Sequence, residues 1–133
     1  MHPGFAGFYV TLNPKGAVHM NRVTHERLDS PEAFQVFFDE VNNRIGLKPS
    51  AKSGKDAFIA GRLGTAGGRQ VRMRGLLNEQ GIDLPATVRF YDADIDQDGV
   101  LVLDLRSARV PPNVLNHATR KNRPKKPTDQ PEP

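Results

Sequence analysis

The amino-acid sequence predicts a mainly β chain with short helices, an α+β class built from two tandem units. Three observations lead there. Short apolar runs of period two recur, among them Phe8, Val10 and Leu12 and later Phe34, Val36 and Phe38, and such alternation marks a strand with one buried face. Clusters of turn formers separate the runs. The order strand, turn, strand, short helix, hairpin then occurs twice, in 8–49 and in degenerate form in 57–110, with Val18 and Met20 falling on Val71 and Met73 at an offset of 53 residues.

Taken in order, Phe8 to Leu12 is the first strand, with Tyr9 and Thr11 on the opposite face. Asn13-Pro14-Lys15-Gly16 is a turn, because proline fixes φ early and glycine tolerates the positive φ that closes it. Ala17 to Met20 is the return strand. Asn21 or Thr24 caps a helix of one to two turns. Phe34, Val36 and Phe38 begin a second hairpin, turned by Asn42-Asn43 as a two-residue loop, with Ile45 and Leu47 inward on the way back. Residues 30–41 also read as a helix, since Ser30-Pro31-Glu32 is a good helix start. The phenylalanines and Val36 favour the strand.

In the second unit Phe58 and Ala60 open a strand, the glycine-rich Gly64 to Gly68 turns it, and Arg69 to Met73 returns. Arg74 to Gly81 is a short helix stopped by glycine. Residues 87–92 and 100–105 form the closing hairpin, and the same offset lays Phe37-Phe38-Asp39 on Phe90-Tyr91-Asp92. The domain plan is therefore a flexible N-terminus at 1–7, units at 8–49 and 57–110, a linker at 50–56, and a disordered basic, proline-rich tail at 111–133.

Composition narrows the function. The chain has 133 residues, no cysteine and a net charge of +4, which removes disulfide frameworks and thiolate zinc sites and fits a cytoplasmic setting. No run approaches the roughly 20 apolar residues that span a bilayer, so no membrane partner is expected. Much of the excess charge lies in the tail, where Arg120, Lys121, Arg123, Lys125 and Lys126 stand among prolines. That tail is either a phosphate-contacting arm or a solubilising terminus.

Other chemistry is poorly supported. Asp94, Asp96, Asp98 and Gly99 match the opening of a calcium loop, but Leu105 stands where the bidentate acid belongs and Val100 to Leu103 reads as strand. Gly64 to Gly68 lacks the Lys-Ser/Thr of a phosphate loop. His2, His19, His25 and His117 show no metal-ligand spacing. No cofactor and no enzymatic activity are expected.

The first unit resembles the AbrB/SpoVT/MazE-type swapped-hairpin DNA-binding domain through Val10-Thr11-Leu12, Lys15-Gly16, Val18, Met20, Leu28, Val36, Phe38, Arg44-Ile45, Leu47 and Lys48-Pro49. It departs at Asn21, where proline is common, and at Asp29, where glycine is usual. The resemblance implies two swapped-hairpin-like units whose interleaved hairpins form one small barrel, here as a homodimer or as an intrachain pseudo-dimer. It also implies a DNA-binding transcription regulator or antitoxin-like module. Contacts would come from Lys15, Arg22, His25 and Arg27, with Arg69, Arg72 and Arg74 in the corresponding part of the second unit. The alternative is a protein-interaction or accessory module of the same fold that binds no nucleic acid.

Overall fold

The computed structural model describes residues 7–111, so the readings of 1–6 and of the tail from Pro112 onward lie outside the described residues. Alternation becomes pairing at once. β1 (Val10–Leu12) and β2 (Ala17–Met20) are antiparallel, with Val10 opposite Met20 and Leu12 opposite Val18. Asn21 then caps α1 (Arg22–Arg27): its side-chain oxygen accepts from Thr24 N at 3.1 Å, filling one of the free donors at the helix start. Asp29 follows with φ +68°, so the aspartate takes the left-handed exit that glycine enters more easily.

Within residues 30–41 the structure forms a strand and not a helix. β3 (Ala33–Asp39) pairs along its whole length with β4 (Arg44–Ser50). Because Asp39 pairs with Arg44, the loop between them has four residues, Glu40 to Asn43, and not the two expected. The reason is Asp39 itself. Its Oδ1 accepts from Val41 N and Asn42 N, and its Oδ2 from Asn42 Nδ2, which holds a wider loop closed.

The second half runs β5 (Phe58–Ile59), β6 (Gly61–Leu63), β7 (Gly68–Arg72), α2 (Arg74–Glu79), β8 (Val88–Arg89), β9 (Asp94–Ile95) and β10 (Leu101–Asp104). The strands sort into two antiparallel sheets of five, ordered β6-β7-β2-β1-β8 and β5-β3-β4-β10-β9. The expected closed barrel is not found among the described residues. Each sheet instead ends on strands of two or three residues, β6 and β8 in one and β5 and β9 in the other. At Ala60, whose N donates to Glu32 O, the chain leaves the second sheet for the first; a turn at Phe90 to Ala93 leads it back.

Register explains how the two halves share a core. β2 pairs with β7 so that Val18 faces Val71, Ala17 faces Arg72 and His19 faces Gln70. At an offset of 53 residues (Val18 to Val71) that pairing is reciprocal: Ala17 meets Arg72, the counterpart of His19, His19 meets Gln70, the counterpart of Ala17, and the central valines meet each other. β4 and β10 repeat the relation about Gly46 and Val102. The outer pairs also correspond, since Thr11 faces Arg89 as Ile59 faces Ala33. In the hairpins the correspondence is therefore 56 residues (Ala33 to Arg89). This corrects the sequence overlay of Phe37 on Phe90, because Phe90 is buried as Phe34 is, and its N donates to Val10 O at 3.0 Å.

Between the sheets lie Val10, Leu12, Val18, Met20, Phe34, Ile45, Leu47, Val71, Met73, Leu101 and Leu103, none more than 1% exposed. Burying each contributes about 1.5–3 kcal/mol. Both halves supply this single cluster.

Candidate nucleic-acid interface

Two corners carry the expected cations. In the first, Gly16 takes φ +86° at the end of the β1–β2 turn and receives a hydrogen bond from Met73 N at its carbonyl. A Cβ on Gly16 would lie 2.7 Å from Arg74 Cα, so only glycine lets α2 approach. Arg74, the first residue of that helix, then donates from Nη1 to Pro14 O at 2.7 Å. This draws it to the turn whose tip bears the exposed Lys15. Arg72, also exposed, precedes it opposite Ala17.

The second corner is built the same way with the halves exchanged. Gly67 has φ +89°, and a Cβ there would lie 2.8 Å from Arg22 Cδ, so the β6–β7 turn sits beneath the first residue of α1. Arg22, Lys52, Arg62 and Arg69 line one groove of about 470 Å³ here, with Glu26 and Glu32 on its wall. Arg22 Nε is 3.6 Å from Glu26, with both side chains mostly exposed. Such an i,i+4 pair is worth little and leaves the arginine available to another anion.

The grouping differs from the one expected by unit. Lys15 keeps company with Arg72 and Arg74 of the second half, while Arg22 sits with Arg62 and Arg69. Two expected contacts fall elsewhere. His25 is 5% exposed and its Nε2 lies 2.8 Å from Pro31 O, so it ties α1 to the following turn instead of facing solvent. Arg27 is about 140° around the helix from Arg22, with its guanidinium 5.3 Å from the Phe8 ring. Which way a two-turn helix faces depends on its packing, and local sequence gives no signal for it.

No protein-family model, curated protein or solved structure matches the chain.

Three cationic features escaped the sequence reading. Arg62 and Lys52 reach the Arg22 groove from strand and loop positions with no motif around them. Arg89 lies between two half-exposed rings, its Cζ 4.2 Å from the Tyr9 centroid and 4.6 Å from that of Tyr91. It donates from Nη2 to Phe8 O at 3.2 Å. It also ends a row across the first sheet, Gln70, His19, Thr11 and Arg89, that contains no acid. The Asp94 to Gly99 stretch is a hairpin turn in which Asp96 Oδ1 accepts from Asp98 N and Val100 N. No group of acids and histidines among the described residues is placed to hold a metal. No described helix is long and apolar enough to cross a membrane.

Proposed function

We propose that this chain is a single-chain DNA-binding module of the swapped-hairpin type, contacting duplex phosphates through two basic corners. The observation that carries the reading is the reciprocal pairing of β2 with β7, which sets the turn glycine of each half beneath the leading arginine of the other half's helix. The first strand of each half also pairs with the opposite half's hairpin, β1 with β8 and β5 with β3. Such an exchange is what the AbrB/SpoVT/MazE resemblance implies, with two halves of one chain in place of two chains.

The corners lie at the two ends of β7, five residues of extended chain, roughly 16 Å at ~3.3 Å each. That fits contacts within one helical turn of about 34 Å. Arginine and lysine at such positions fix register on the backbone without reading sequence. The intact protein is expected to bind a random duplex with an affinity that falls steeply between about 50 and 200 mM salt. Replacing Arg22 and Arg74 together by alanine should lower the log–log salt slope by about two, with the melting temperature held. Absence of binding at the lowest salt, or an unchanged slope in the double variant, would overturn the reading.

A protein-binding role is the second reading. It draws on Phe37, 53% exposed on β3 and lining a groove with Phe58 and Leu76. A partner retained by the intact protein and lost on Phe37→Ala, with no duplex affinity, would favour it.

A further inference from the structure

We propose that the basic segment following Pro111 docks onto an apolar groove of its own chain, on the side formed by the β3–β4 loop and the end of α2. This groove, about 650 Å³, has a floor of partly buried Phe38, Ile82, Leu84, Val88 and Leu105. Its rim carries Glu40, Glu79 and Asp83, all exposed, and among the described residues no lysine or arginine lines it. It is the charge opposite of the Arg22 groove. An apolar floor ringed by one sign of charge fits an extended segment that brings a few aliphatic side chains followed by cations.

The chain itself supplies such a segment beside the groove. Arg109 bridges to Arg89, accepting from Arg89 N at 2.7 Å and donating to Arg89 O at 3.0 Å, and so runs alongside Val88 of the groove floor. Ala108 lines the groove as well, so the described chain ends at Pro111, three residues beyond a lining residue. Val114 and Leu115 come first, then Arg120, Lys121, Arg123, Lys125 and Lys126, all before the next acid, Asp129. The nine residue steps from Pro111 to Arg120 span up to roughly 30 Å, enough to cross the groove, and so short a tether gives a high effective concentration. The basic corners would repel the same segment. Docking on the acidic side stands whether or not the chain binds DNA.

The absence of cysteine provides the test. Full-length protein carrying Gln80→Cys, in the groove lining, and Asn122→Cys, among the cations, is treated with a short bis-maleimide. The expected product is an intramolecular crosslink. Its rate should fall about tenfold in ~1 M salt, where screening reaches ~3 Å. A similar fall is expected on replacing Glu40 and Glu79 by Gln and Asp83 by Asn, the combined effect of several exposed ion pairs. A rate insensitive to salt, or equal to that of a Thr65→Cys, Asn122→Cys control on the distant β6–β7 turn, overturns the proposal. A crosslinked dimer would place a neighbouring copy's segment in the groove and overturn docking within the chain. The salt series on the unsubstituted rim decides the matter even if the triple variant misfolds.

Discussion

At the scale of single residues, two turn glycines separate conformational strain from crowding. Gly16 and Gly64 both have positive φ, but a Cβ on Gly16 meets Arg74 backbone at 2.7 Å, whereas nothing lies within 4 Å of one on Gly64. Gly64→Ala should therefore cost about 1 kcal/mol, the price of a left-handed residue with a side chain. Gly16→Ala should cost about 3 kcal/mol, because the helix must also retreat. Urea denaturation of the two variants measures the difference, and equal losses would show that α2 does not rest on the turn. Gly16 was legible in the sequence as a turn residue. Its second role was not, because the atom it must avoid is 58 residues away (Gly16 to Arg74).

At the scale of elements, the four-residue loop between β3 and β4 depends on one carboxylate. The Asn42 side-chain and backbone donors, with Val41 N and nearby Arg44, hold the Asp39 carboxyl below its ordinary value of 3.8. A carboxylate whose folded pKa is depressed stabilises the fold above its unfolded pKa, and this contribution is lost as pH falls through the folded value. The loop should therefore loosen only below about pH 4. Asn42→Ala should move the Asp39 titration upward toward 3.8, as followed by carboxyl carbon shifts in NMR. An unmoved titration would mean that the backbone donors suffice.

Elements were also where the sequence spoke most clearly. Alternation in Phe34, Val36 and Phe38 chose strand over helix against a good helix start. Of the two cap candidates Asn21 and Thr24, Asn21 starts the first helix, and Gly81, with φ +70°, follows the end of the next one. The loop length and the 56-residue correspondence of the hairpins stayed hidden because both are set by pairing across the sheet. Arg62 and Lys52 stayed hidden for the same reason, since neither is near Arg22 until the sheets form.

For the whole molecule, the division of pairings makes the halves interdependent. Without residues 53–133, β1 loses β8, β2 loses β7 and β4 loses β10. Residues 1–52 alone should remain unfolded at low concentration, and equimolar addition of 53–133 should restore β-sheet circular dichroism. The intact chain should melt in one transition at a temperature independent of its concentration. Two separate transitions would show that each half holds a core of its own. Phe34→Ala, at the fully buried meeting of β3 with β5, should cost about 3–5 kcal/mol and lower that single transition.

The pairing of β1 with β8, and of β4 with β10, also sets a clock on synthesis. Val10 and Leu12 leave the ribosome first, yet the strands that cover them and their neighbours end at Asp104. At about 5–20 residues per second, the ninety-odd residues in between take roughly 5–20 s to translate. During that interval the nascent chain holds a half-built, sticky edge that a sibling chain on the same messenger could complete. Chaperone demand and exchange between neighbouring nascent chains should thus rise when translation slows across the second half.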